Sequence, residues 1–116
     1  MNQEVTVTLD ITMTAEAAGA FARRGNEGLA TTQQFPGFRE VRIVQHEEDP
    51  CRFLFIQRWE SEEAYHSYIA WRTERGELQG LQATATRVDT QIWPHLIAEA
   101  VNDPGRQHNA SSQARN

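Results

Sequence analysis

Several features that would assign a chain to a particular class of protein are scarce in this sequence. It has a single cysteine, Cys51, so no internal disulfide can form, and a reducing cytoplasm is the expected setting. No apolar run approaches the roughly 20 residues that span a bilayer. The first ten residues contain no basic segment followed by an apolar core, which a signal peptide would have. The sequence therefore predicts a cytoplasmic protein that does not bind a membrane.

Positive charge is scarce as well. Lysine and arginine number 11 against 16 aspartate and glutamate residues, so the net charge is −5, and no basic cluster stands out. Nucleic acids and anionic membranes both favour a basic face, so neither is an expected partner. The four histidines do not pair at metal-ligand spacing on a helix, and no glycine-rich phosphate loop follows a strand. We therefore expect no metal and no other cofactor.

The apolar residues that are present follow the periods of strands and helices. Val5, Val7, Leu9 and Ile11 alternate with polar residues, which is typical of a strand. The patterns predict strands over 4–12, 38–46, 52–60 and 88–93, one helix between Thr14 and the Pro36-Gly37 turn, a second over 61–75, and a weaker helical segment over 77–86. Thr14 and Ser61 are the expected helix N-caps.

This order predicts an α+β fold with the ferredoxin-like arrangement β-α-β-β-α-(α)-β. Its four strands form an antiparallel sheet with the helices on one face. At 116 residues the chain has the length of a single domain, which we place at residues 1–101. Residues 102–116 contain no large apolar side chain, so they are predicted to be a disordered tail.

The second face of the predicted sheet needs a cover. Six apolar residues are assigned to it, more than a sheet face leaves in water. They are Val5, Val7, Leu9, Ile11, Leu54 and Ile56. A second copy of the chain packing sheet to sheet would bury them, so a homodimer is expected.

Three stretches of the sequence resemble the antibiotic biosynthesis monooxygenase family, which includes quinol monooxygenases. They are Phe35-Pro36-Gly37-Phe38, the segment from Phe55 to Tyr65, and the segment from Tyr68 to Gly76. The middle stretch contains a Trp-x-Ser-x-x-Ala pattern at Trp59, Ser61 and Ala64, directly after a strand. The resemblance covers roughly residues 4–96.

The resemblance implies a dimeric α/β barrel with a pocket between the sheet and the helices of each subunit. Its best-known members oxidise dihydroxy-aromatic or anthrone-like polyketides to quinones with O₂, without metal or flavin. An electron-rich phenolate can itself pass an electron to O₂, so the protein supplies a dry pocket that holds the deprotonated substrate. Other enzymes of the superfamily degrade haem, isomerise lactones or cyclise polyketides, and fold alone does not choose among them.

The sequence departs from the family at three places. Polyketide-oxidising members often carry an asparagine four residues before the strand-ending tryptophan, where this chain has Phe55. The haem-degrading branch has a histidine ligand near the position of Glu77-Leu78-Gln79-Gly80, which makes haem chemistry an unexpected activity here. The last strand of many members ends in a tyrosine-containing segment, and this chain has Trp93 there.

The candidate site residues are aromatic or basic. We predict three catalytic residues, Trp59, Tyr68 and Arg72, and five substrate-binding residues, Phe53, Phe55, Tyr65, Trp71 and Trp93. An aromatic lining suits a flat ligand, and a guanidinium can hold a phenolate or a carboxylate. Ordinary packing is the competing interpretation of the aromatic residues, and a surface ion pair is that of Arg72.

The leading hypothesis is therefore a cofactor-independent monooxygenase that oxidises an electron-rich aromatic, quinol or polyketide-like small molecule with O₂. The loss of the asparagine at Phe55 favours an alternative, a cofactor-free cyclase or isomerase of a polyketide-like substrate. A third possibility is a dimer that binds a small molecule without catalysis, because no strong acid–base pair is evident in the sequence.

Overall fold

The computed structural model describes residues 3–25 and 27–102. Its elements in chain order are β1 (Val5–Met13), α1 (Ala15–Arg24), α2 (Leu29–Gln33), β2 (Phe38–Gln45), β3 (Arg52–Trp59), α3 (Glu62–Glu74), α4 (Glu77–Thr84) and β4 (Ala85–Trp93). The strands form one antiparallel sheet in the order β2-β3-β1-β4. The predicted α+β ferredoxin-like fold is confirmed. All but the first residue of the predicted tail, 102–116, lies outside the described residues.

Both expected N-caps are present. The Ala17 backbone N–H donates to Thr14 Oγ1 at 3.3 Å, and the Ala64 backbone N–H donates to Ser61 Oγ at 3.1 Å. Thr14 and Ser61 have the extended backbone that a cap residue adopts. Each cap satisfies an otherwise free N–H of the first helical turn, which typically stabilises a helix by about 1 kcal/mol.

Two element boundaries differ from the prediction. The single helix expected before Pro36 is interrupted, because α1 ends at Arg24 and α2 begins at Leu29. Gly25 and Gly28 lie in the interruption, and glycine disfavours a helix by about 1 kcal/mol relative to alanine. The last strand begins three residues earlier than predicted, at Ala85. A register shift between Thr12 and Met13 allows Ala85 to pair with Met13 of β1.

The register of β1 and β3 corrects the expected distribution of apolar residues. Val5 pairs with Trp59 and Ile11 with Phe53, so the odd-numbered residues of both strands share the face that the helices cover. That face holds the core residues Val5, Val7, Ile11, Met13, Phe53 and Trp59, which pack with Ala18 of α1 and with Tyr65 and Tyr68 of α3. The assignment of Val5, Val7, Leu9 and Ile11 to the uncovered face together with Leu54 and Ile56 was therefore wrong. Successive side chains of a strand point to opposite faces, so the odd-numbered residues of β1 face the helices and Leu54 and Ile56 face the uncovered side.

The uncovered face is consequently more polar than expected. Arg52 makes a bidentate ion pair with Asp10, at 2.9 and 2.7 Å. Arg58 bridges Glu4 and Glu40, at 2.7 and 2.9 Å. Leu54, Ile56, Val44 and Trp93 supply its large apolar side chains.

Within the described part of the chain, no helix is long and apolar enough to cross a membrane.

Candidate active site

A cavity of about 310 Å³ lies between the helix-covered face of the sheet and the helices. This volume is at the lower end of the range of small-molecule sites, about 300–1,000 Å³. The sheet contributes Leu9, Val41, Ile43, Phe55 and Gln57. The helices contribute Phe21, Arg24, Leu29, Thr32, Tyr65, Tyr68, Ile69, Arg72, Glu77, Leu78 and Leu81, and Gly25 and Gly28 line it between α1 and α2. Most of the side chains that line the cavity are apolar, and a few polar side chains lie among them.

Aromatic packing forms one side of this cavity. The Phe21 ring from α1 stacks on Phe55, with ring centroids 5.7 Å apart and planes 22° apart. It meets Phe53 edge-on, with centroids 4.9 Å apart. Phe53 lines an adjoining cavity of about 420 Å³ between the end of α1 and strand β2. Phe21 thus forms part of the wall of both cavities.

A hydrogen-bonded cluster of Arg72, Tyr68 and Thr32 faces the cavity. Arg72 Nη1 donates to Tyr68 Oη at 2.6 Å and lies 3.2 Å from Thr32 Oγ1. Thr32 donates to the Gly28 carbonyl at 3.4 Å, so the Tyr68 hydroxyl is left to donate to Thr32 Oγ1 at 2.8 Å. Tyr68 and Arg72 lie four residues apart in α3 and therefore share one face of that helix.

Glu77, at the start of α4, partly neutralises Arg72. Its Oε1 lies 3.0 Å from Arg72 Nε, while its Oε2 accepts from Arg75 Nε at 2.6 Å. The contact with Arg72 is close but poorly directed, because neither Arg72 Nε nor Glu77 Oε1 has a hydrogen-bond partner among the described residues. One carboxylate thus faces two guanidinium groups. This wall of the cavity retains positive charge, which favours an anionic oxygen of a ligand.

Trp59 lies directly behind the cavity. Its indole is fully buried and packs against Tyr68, with ring centroids 4.8 Å apart, and against Phe35 and Phe38. Its Nε1–H donates to Gln57 Oε1 at 3.0 Å. Tyr65 also packs on the Trp59 indole, and burial raises the pKa of the Tyr65 hydroxyl above its ordinary value, so that this group stays protonated.

The structure brings four of the predicted site residues together at the cavity: Phe55, Tyr65, Tyr68 and Arg72. Trp59 stands behind the wall, and Phe53 lines the adjoining cavity. Trp71 packs on Phe35 with centroids 5.3 Å apart, and its outer side is covered by the Arg75 guanidinium 4.4 Å from the ring centroid. Trp93 is on the opposite face of the sheet, where its Nε1–H donates to Thr8 Oγ1 at 3.0 Å.

The sequence analysis missed four polar or charged residues of the cavity: Arg24, Thr32, Gln57 and Glu77. Gln57 carried a recognisable signal, because it is a polar residue at a helix-facing position of β3, between the apolar residues Phe55 and Trp59. Thr32 and Glu77 carried none, since their place at the cavity depends on how α2 and α4 pack. Among residues 3–25 and 27–102, no group of histidine, cysteine, aspartate and glutamate side chains is arranged to hold a metal ion.

Several solved structures of other proteins share this fold. SnoaB, a cofactor-independent oxygenase from Streptomyces nogalater, superposes with a TM-score of 0.69 at 17% identity, covering 87% of this chain and 99% of that chain. A protein from Shewanella oneidensis has a TM-score of 0.71 at 12% identity, covering 84% and 96%. A conserved protein from Methanosarcina mazei has a TM-score of 0.68 at 14% identity, covering 78% and 91%. At these identities the likeness shows the fold.

The family itself is identified by sequence. No curated protein matches the chain. The family profile described as antibiotic biosynthesis monooxygenase matches residues 4–74, which is more than half of the 116 residues and extends from β1 to the end of α3. The chain belongs to the antibiotic biosynthesis monooxygenase family.

Proposed function

We propose that this chain is a cytoplasmic, cofactor-independent monooxygenase that oxidises an electron-rich aromatic, quinol or polyketide-like small molecule with O₂ and acts as a homodimer. The observation that carries the proposal is the cavity of about 310 Å³, in which the Arg72 guanidinium and the Tyr68 hydroxyl face mostly apolar walls. Membership of the family and the shared fold of a cofactor-independent oxygenase support it.

The chemistry needs little from the protein beyond this environment. A phenolate of the substrate is stabilised by the positive charge at Arg72, and the apolar walls exclude water that would weaken this attraction. For an anthrone-type substrate, a methylene carbon loses two hydrogens and gains one oxygen atom from O₂. The second oxygen atom leaves with the two hydrogens as water. Since the substrate supplies all the electrons, the reaction requires no external reductant.

The test is O₂ uptake by metal-stripped protein with a panel of quinols and anthrones. Arg72→Met should lower uptake by about tenfold or more, because it removes the charge and keeps much of the volume. Arg39→Met is the matched control, since Arg39 is exposed at the start of β2 and should leave uptake unchanged. Absence of uptake over the whole panel would contradict the proposal.

A redox-neutral reaction is the second candidate. At Phe55 the cavity wall is closed by the stacked Phe21 ring, and no amide faces the substrate at that position. A cofactor-free cyclase or isomerase of a polyketide-like substrate would turn over under strict anaerobiosis, whereas a monooxygenase would stop. Tight binding of an aromatic ligand without any product would instead identify a binding dimer.

A further inference from the structure

Gln57 is the one residue of the helix-facing side of β3 whose side chain is both buried and polar. It lines the cavity, whereas its neighbour on the same face, Trp59, is enclosed in the core. A buried amide has to be hydrogen-bonded or it destabilises the fold. Within residues 3–25 and 27–102, the bond from the Trp59 indole is the only hydrogen bond of the Gln57 side chain.

The chemistry of the indole fixes the orientation of this amide. The nitrogen and oxygen of a glutamine side chain are often interchangeable in a structure. Here they are not, because indole Nε1–H is only a donor and must face the carbonyl oxygen Oε1. The Gln57 Nε2 group, with two N–H donors, is consequently the free end of the side chain, at a residue that lines the cavity.

The indole is itself immobilised. Its ring contacts Phe38, Phe35, Tyr65 and Tyr68 with centroids 4.8–6.2 Å away, and none of its surface is exposed. Rotation of the Gln57 amide would therefore leave a buried indole N–H without an acceptor. The pair is a preorganised donor, and a ligand does not need to reorient it on binding.

We propose that Gln57 is a substrate-binding residue whose side-chain N–H groups donate to an oxygen of the ligand, and that Trp59 is a positioning residue that holds this amide. Gln57 extends from the sheet and Arg72 from α3, so donors stand on two walls of the cavity. The ligand class that fits is a planar aromatic molecule with at least two acceptor oxygens, such as a hydroxylated aryl ketone. The inference rests on the proposed use of this cavity as the active site.

Binding of 1,8-dihydroxyanthraquinone under nitrogen tests the inference apart from any reaction with O₂. Gln57→Glu keeps an acceptor for Trp59 and, when ionised, presents oxygen instead of N–H to the ligand. Gln57→Leu removes the amide altogether. Each should raise the Kd of the probe by about tenfold or more. The matched control is Gln82→Glu, at an exposed glutamine of α4 that does not line the cavity, and its Kd should stay within about twofold of the unsubstituted protein.

A double-mutant cycle tests the positioning role. Trp59→Phe retains an aromatic ring but removes the N–H that orients Gln57, so it should weaken probe binding severalfold in the original protein. In a Gln57→Leu background, Trp59→Phe should cause no further loss. Equal weakening in both backgrounds would mean that Trp59 acts by packing alone, which would overturn this half of the inference.

Nuclear magnetic resonance of the unsubstituted protein provides a readout that does not depend on the variants folding. Addition of the probe should shift the side-chain N–H signals of Gln57 strongly, and those of Gln82 should not move. Unshifted Gln57 signals, a normal Kd in Gln57→Leu, or failure of the unsubstituted protein to bind the probe would each overturn the inference. Binding that depends on Gln57 without O₂ uptake on any substrate would uphold it while the monooxygenase proposal fails. O₂ uptake that does not change in the Gln57 variants would support the monooxygenase proposal and overturn the inference about Gln57.

Discussion

The hydroxyl oxygens of Thr32 and Tyr68 lie 2.8 Å apart and join α2 to α3 beside the cavity. Both residues are buried, and Tyr68 also accepts a hydrogen bond from Arg72. The short helix α2 has no side-chain cap at its N-terminus, so this bond is one of the contacts that fix its position. The bond therefore links the placement of α2 to the polar end of the cavity.

Thr32→Val tests the structural value of this link. The substitution keeps the shape of the side chain but leaves the buried Tyr68 hydroxyl without its acceptor, which should lower the free energy of unfolding by about 1–3 kcal/mol. Urea denaturation measures this loss. Thr31→Val is the matched control, because Thr31 is the exposed neighbour in α2 and should change stability by less than about 0.5 kcal/mol. Equal effects of the two substitutions would rule out a specific role of the bond.

The sequence was sufficient to predict the fold because its signals are local. Alternation in β1 and the caps Thr14 and Ser61 determine where strands and helices begin, and short-range patterns carry that information. The relative register of β1 and β3 is not local. It decides that Val5 pairs with Trp59, and it reversed the expected face of the β1 valines.

The candidate site was only partly predictable for the same reason. Tyr68 and Arg72 were predicted because they are an aromatic and a basic residue of one helix, whereas Thr32 and Glu77 reach the cavity through the packing of α2 and α4. Trp59 was predicted as a site residue because it is aromatic and ends a strand. Its hydrogen bond with Gln57 became visible only once both side chains had been placed.

Gly37→Ala should be strongly destabilising. Gly37 has φ +92°, and a Cβ there would lie 2.5 Å from Ala64 Cβ, so both backbone strain and a steric clash oppose the change. We expect a loss of more than about 1 kcal/mol in the free energy of unfolding. Gly80→Ala is the control: it lies within α4 with nothing within 4 Å of its added Cβ, and it should stabilise the protein by about 0.5–1 kcal/mol. A neutral Gly37→Ala would contradict the described turn.

The Asp10–Arg52 ion pair should make stability depend on pH in the acid range. The hydrogen bond from Arg52 holds the pKa of the Asp10 carboxyl below its ordinary value. The resulting stabilisation is present above the unfolded-state pKa and is lost as the pH falls through the lower folded-state pKa. Asp10→Asn should therefore cost up to about 1 kcal/mol at neutral pH and less in acid, as urea denaturation at several pH values would measure. A cost of Asp10→Asn that does not diminish in acid would refute the assignment.

The proposed homodimer predicts a difference between two faces of the sheet. Ile56 lies on the uncovered face, so Ile56→Lys should place a charge in the interface and shift the protein towards monomer. Val88 is exposed on edge strand β4 but pairs with Ile11 on the helix-covered side, so Val88→Lys is the control and should leave the oligomer unchanged. Light scattering with size-exclusion chromatography measures both. A monomeric unsubstituted protein at micromolar concentration would refute the dimer.

Alternation along β3 has a consequence for how this chain can diverge. Phe55 and Gln57 point to the cavity, while Leu54, Ile56 and Arg58 point to the uncovered face. Alternate residues of β3 thus line the cavity and form the uncovered face, which is the surface proposed for self-association. A substitution of an odd-numbered residue of β3 leaves the side chains of the uncovered face unchanged, and a substitution of an even-numbered residue leaves those of the cavity unchanged. A substitution of Phe55 or Gln57 can therefore change the cavity while the face proposed for the dimer stays chemically unchanged.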